Sequence, residues 1–172
     1  MKKLLIGSLL LVAVLRCGPV GSQSPETVAD PGPGGAGAAE QNSETQINRQ
    51  IVTALGSGHY ADAIRLVSRS SAGPAEVDFA VGAIILQGLG DPDATQPPGE
   101  SVDEALALIE KSALSGHRPA ISALAATCYT GLRKGPSAPE LIAPNERLKA
   151  CWEAAKTAPG QASACVAIRI RR

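Results

Sequence analysis

The chain reads as all-α: a short α/α superhelical solenoid of about seven helices behind a disordered N-terminal tether. From Ser43 onward apolar residues recur at helical spacing, residues that start and stop helices punctuate them, and one block of residues recurs at a constant offset. Aromatic side chains are limited to Tyr60, Phe79, Tyr129 and Trp152, so the core has to be built from Ala, Leu, Ile and Val, which suits close-packed helices.

Lys2 and Lys3 precede an apolar run from Leu4 to Leu15. That run is shorter than the ~20 residues a membrane span needs, so residues 1–22 read as an export signal region. Cys17 follows the apolar run as the lipid-bearing Cys does in bacterial lipoproteins, although Arg16 is not the small residue that processing before such a Cys expects. Cleavage before Cys17 would leave a lipid anchor there; cleavage after Ser22 is the alternative, and Cys17 then departs with the signal. Residues 23–43, with the Gly/Pro run from Pro31 to Gly37, bury too little apolar surface to offset their ordering entropy and are expected to stay disordered. The folded domain is residues 44–172.

Within it, Ile47, Ile51 and Leu55 mark a first helix over 44–56, with Ser43 and Gln46 in the form of a capping box. Gly56 to Gly58 stops it, and Ala61, Ala63, Ile64, Leu66 and Val67 form a second. Pro74 opens a third, which ends near Gly88 to Gly90. Ser101 and Glu104 open a fourth, running to Gly116, and Pro119 opens a fifth, running to about Gly131. A Pro-containing loop then leads to helices over 145–157 and 161–171. No segment of strand length alternates with period two, so β-structure is not expected.

The repeat is internal. Gly73, Val77, Val81, Ile85 and Gly88 match Gly116, Ala120, Leu124, Cys128 and Gly131 at an offset of 43 residues, and Gly160, Ala164 and Ile168 lie 44 further on. Helices this short enclose no core alone and must stack on neighbours. The segment Glu104 to Leu124 resembles the signature of Sel1-like repeats, and Gly88-Leu-Gly90 with Asp91 and Asp93 is similar to that family's Gly-x-Gly loop. Gly58 to Ile64 resembles the turn of the related tetratricopeptide repeat. The resemblance implies a non-enzymatic scaffold that takes a protein or peptide partner on the first helix of each pair, here 75–88 and 119–131. It departs from the family where the loop after Gly131 lacks a Gly-x-Gly form and where Tyr129 comes one place later than the family's Tyr.

Lys+Arg and Asp+Glu both number 16, so no basic excess is available to neutralise phosphates, and nucleic acid is not an expected partner. His59 and His117 each sit beside a Gly at an interhelix turn with no ligand at metal spacing, so no metal or cofactor is expected and the imidazoles are read as capping or exposed. Asp91 with Asp93 and Asp103 with Glu104 are read as helix-terminal and loop carboxylates rather than as an acid–base pair. The resemblance carries one enzymatic alternative, because some cysteine-rich secreted Sel1-like proteins are associated with β-lactam binding or hydrolysis. The serine chemistry used there needs Ser-x-x-Lys, and no Ser in this chain has Lys three residues later. No catalytic residue is therefore expected. A spacer or self-associating surface structure is a further alternative. The chain is expected to be exported, whether periplasmic, envelope-anchored or secreted, and to meet a membrane only through a lipid on Cys17.

An exported chain meets an oxidising compartment, where Cys151 and Cys165 sit on consecutive helices at similar heights from the turn at Pro159 and Gly160. Cysteine-rich members of the resembled family also link one helix to the next. A bridge between the two is expected, with buried free thiols or a linkage through Cys128 as alternatives.

Overall fold

A computed structural model describes residues 35–129, 132–133 and 140–170. The export signal, Cys17 and residues 23–34 of the tether lie outside the described residues, as does the side chain of Cys128. Seven α-helices are found among the described residues: α1 (Gly35–Gly56), α2 (Tyr60–Val67), α3 (Pro74–Gly90), α4 (Val102–Leu114), α5 (Arg118–Ala123), α6 (Glu146–Thr157) and α7 (Ala162–Ile170).

Local sequence explains several of the helix starts. Pro74 occupies the first turn of α3, and the Gly73 N–H donates to the Glu76 carboxylate at 3.2 Å. At α4 the capping box is complete: the Ser101 N–H donates to Glu104 at 2.7 Å, and the Glu104 N–H donates to Ser101 Oγ at 3.2 Å. These bonds from Ser101 hold the Glu104 carboxyl below its usual range. Buried Asn145 caps α6 by accepting from the Leu148 N–H at 3.1 Å.

Three features differ from the sequence pattern. First, α1 begins at Gly35, so Ser43 lies inside the helix rather than at its N-cap, and residues 35–43 of the expected tether are helical. Ala36, Ala38 and Ala39, the strongest helix formers, work there against Gly35 and Gly37. Second, α5 is α-helical only to Ala123 and continues as a π turn, Leu124–Cys128. A π turn takes up extra chain and re-aims the residues beyond it. Tyr129, which comes next, is turned into the core. Third, where no strand is expected, Leu132–Arg133 pairs antiparallel with Glu140–Ile142. The segments are too short to show a period of two. Ile142, only 7% exposed, tacks the pair to the core.

Consecutive helices pack on one another from α1 to α7, and α7 also reaches back to α4. Two apolar clusters result. The smaller joins Ile51 and Leu55 of α1 and Tyr60, Ala63 and Val67 of α2 to Ile84 of α3. The larger gathers Phe79 and Ile85 of α3, Ile109 of α4, Ile121, Leu124, Leu148 and Trp152 around small side chains such as Ala105, Ala120 and Ala155. The adjacent residues Ile84 and Ile85 thus send α3 into both clusters.

The most extensive contact between helices among the described residues is at α3 and α4, where buried Ser112 donates to the Ala75 carbonyl at 2.6 Å and Lys111 pairs with Asp78 at 2.9 Å. Gly82 makes this approach feasible. A Cβ there would lie 2.7 Å from both the Ala105 carbonyl oxygen and Ile109 Cγ1. Gly82→Ala should therefore lower stability by about 1–3 kcal/mol through overpacking, outweighing the gain of about 1 kcal/mol from better helix propensity. The midpoint of urea denaturation measures it; an unchanged or raised midpoint would mean that the helices can separate without cost.

Candidate functional site

Among the described residues an open concavity lies between α1 and α2. It is about 670 Å³ in volume. Gln46, Arg49, Gln50 and Thr53 line it from α1, spaced i, i+3, i+4 and i+7, and Asp62, Arg65, Leu66 and Arg69 line it from α2 and the residues just beyond with the same spacing. The two helices thus present one matching stripe each. Ala54 and His59 close the end near the turn. Arg65 forms an ion pair with Asp62, and at the other end Ser71 donates to the Glu44 carboxylate at 2.9 Å.

The α1–α2 turn that sets the groove's geometry is held by a distant loop. Gly58, at φ +70°, has Thr95 N 3.0 Å from where a Cβ would stand, so the loop between α3 and α4 approaches its backbone directly. The Gln96 N–H donates to the Gly58 carbonyl at 3.0 Å, and the Tyr60 N–H donates to the Gln96 carbonyl at 2.9 Å. Tyr60 lies against Gly88 and donates its hydroxyl to Asp91 at 2.7 Å. Burial, reinforced by the Asp91 carboxylate, pushes the Tyr60 hydroxyl up to about 12. The structure thus joins the Gly58 to Ile64 segment and the Gly88 to Asp93 segment, which the sequence presents as separate motifs.

The remaining candidates fall elsewhere. His59 and His117 are the residues before α2 and α5, but neither side chain caps its helix. His59 faces the groove, whereas His117 packs its ring on Phe79, centroids 5.3 Å apart, rather than standing exposed. Burial pushes the His117 imidazole below its ordinary value. Asp91 is engaged by Tyr60 and by the Asp93 N–H, and Glu104 by its capping box. Among the described residues, no three His, Cys, Asp or Glu side chains cluster as a metal-holding group, and no helix is long and apolar enough to cross a membrane.

One polar cluster gives no signal in the sequence. Glu110 of α4 is 2% exposed, yet it accepts from the Tyr129 hydroxyl at 2.9 Å and from Arg169 Nε of α7 at 2.9 Å, with exposed Asp103 3.7 Å from the same guanidinium. Burial pushes the Glu110 carboxyl up, against the opposing pull of Arg169 and the Tyr129 hydroxyl. The group is too enclosed to meet a substrate, and its effect is to fasten α7 to α4.

A covalent link fastens α7 as well. Cys151 of α6 and buried Cys165 of α7 are joined by a disulfide with Cα atoms 5.6 Å apart. The cysteines lie 14 residues apart, and closing a loop of that size contributes about 3 kcal/mol in the chain-entropy model. Reduction, or a Cys151→Ser/Cys165→Ser double variant, should cost about that amount. Thermal melting with and without a phosphine reductant measures it; superimposable curves would show that α7 docks without the bridge.

No family model matches the chain, and neither a curated protein nor a solved structure does.

Proposed function

We propose that the chain is an exported, non-enzymatic helical-repeat scaffold of Sel1-like type that holds a protein or peptide partner in the cell envelope. The observation that carries this reading is sequential packing of short helices, with the three in-phase copies of the internal repeat opening α3, α5 and α7. Such an architecture presents helix faces and grooves. The resemblance alone would put the partner on the first helix of each pair. Those helices expose little here: Phe79, Ile84 and Ile85 of α3 and Ala120 and Ile121 of α5 are buried, leaving such positions as Glu76 and Ser122 outward. The α1–α2 groove is the better candidate surface.

The test is site-specific photo-crosslinking in cells, with the crosslinker at exposed Gln50 in the groove and, separately, at Ser122 on α5. A discrete envelope protein captured at Gln50 and lost when groove residues are substituted supports the scaffold. Absence of any discrete adduct at both positions would favour a spacer.

A further inference from the structure

The groove carries a charge that the whole chain does not. Lys+Arg equals Asp+Glu over the full sequence, 16 each, yet the groove is lined by three arginines, Arg49, Arg65 and Arg69, and one carboxylate, Asp62. Arg65 is occupied with Asp62. The guanidinium groups of Arg49 and Arg69 have no carboxylate partner among the described residues, and both residues are exposed. They come from opposite walls, so a ligand lying along the groove would meet both.

The geometry points to this groove as the docking site for an acidic segment of a protein partner, a short stretch of chain whose carboxylates pair with Arg49 and Arg69. This inference rests on the scaffold reading and adds the chemistry of its partner. Guanidinium groups match carboxylates in bidentate geometry, and the resulting bonds are about twice as strong as neutral ones. Gln46 and Gln50 add amides that can both donate to and accept from a peptide backbone, and Thr53, whose hydroxyl donates to the Arg49 carbonyl, can still accept. A volume of about 670 Å³ is of the size that holds a few residues rather than a domain. No Phe, Tyr or Trp lines the groove, so the extended stacking platform that a single-stranded nucleic acid uses is missing, with His59 the one ring present. A membrane surface would need several large exposed apolar side chains beside the arginines; the groove has only half-buried Leu66, and exposed Val52 of α1 is not among the lining residues.

Fluorescence anisotropy tests the inference, with the purified protein and a labelled peptide of alternating glutamate and alanine; the matching glutamine peptide serves as control. The glutamate peptide should bind, more weakly as salt rises from about 50 to about 500 mM, and the glutamine peptide should not. Arg49→Glu/Arg69→Glu should weaken binding by about tenfold or more, with an unchanged melting curve because both side chains are exposed. Arg49→Gln/Arg69→Gln provides a second variant without charge reversal and should fall between.

Equal binding of the two peptides, or wild-type affinity in both variants, overturns the inference. So does binding of a labelled single-stranded oligonucleotide or of phosphatidylglycerol vesicles by a protein that ignores the glutamate peptide. The two levels of the reading fail separately. If crosslinked partners persist in cells while the glutamate peptide does not bind, the acidic docking site is wrong and the scaffold stands. If the peptide binds through Arg49 and Arg69 but no partner is captured, the scaffold fails and the groove chemistry stands.

Discussion

Replacing Arg169 with methionine should destabilise the protein by about 3–5 kcal/mol, because it leaves the Glu110 carboxylate buried without its cation. Glu110→Gln should cost much less. A glutamine carbonyl can still accept from Tyr129, and the guanidinium left without its carboxylate is a quarter exposed and 3.7 Å from Asp103, whereas the Glu110 carboxylate has no such access to solvent. The contrast has a pH signature. Burial raises the folded-state pKa of Glu110 above its unfolded value, so the folded chain binds the proton more tightly. The stability this group contributes is fully present below the unfolded carboxyl value of about 4.3 and is lost as pH rises through the raised folded value. Arg169→Met should push that upper limit higher, and Glu110→Gln should abolish the dependence. Urea denaturation between about pH 4 and 8 reads all three; a wild-type profile parallel to that of Glu110→Gln would show that the carboxyl titrates alike in both states.

Trp152→Ala should cost a similar 3–5 kcal/mol, roughly, because it removes the largest fully buried side chain from the centre of the larger cluster. The surrounding groups are mainly Ala, Leu and Ile on several helices, which cannot all move in to close the void. Trp152→Phe should be milder, since Nε1 is buried without a hydrogen-bond partner among the described residues and losing that donor removes an unsatisfied group. Calorimetric melting of both variants measures the difference. If Trp152→Phe is as damaging as Trp152→Ala, the indole nitrogen is supported in some way that its burial does not reveal.

The helices were largely legible in the sequence because their boundaries are local chemistry: Ser101 and Glu104 cap α4, and Pro74 opens α3, with nothing needed from the rest of the chain. Where composition and pattern disagreed, pattern reading failed. Residues 35–43 are rich in glycine and look like linker, yet their alanines continue the helix begun at Gly35. The π turn and the short strand pair occupy too few residues to produce a periodic signal. The groove was hidden for another reason. Arg49 lies on α1 and Arg65 and Arg69 on or beside α2, and only the packing of those helices makes them neighbours. Glu110 and Arg169 are 59 residues apart, and Glu110 next to Lys111 has the look of an ordinary helix surface. Its burial follows from the return of α7 to α4, a contact that no local pattern encodes.

The two apolar clusters that meet on α3 divide the molecule in a way that matters for how it breathes. The α1–α2 hairpin supplies the larger cluster with only the half-buried Ile64, while its own cluster leans on a single fully buried isoleucine of α3, Ile84. The Tyr60 to Asp91 bond, the Gln96 bonds to Gly58 and Tyr60 and the Thr95 hydroxyl bond to the Ser57 carbonyl also anchor the turn, and the partly buried Val77, Ala80 and Val81 of α3 pack on the same cluster. A hairpin tied this way can undock as a cooperative unit at a lower free energy than global unfolding, leaving α4 to α7 and their disulfide closed. Amides of α2 would then exchange with solvent hydrogen ahead of those of α4, and any ligand seated between α1 and α2 would slow that exchange in proportion to how tightly it binds.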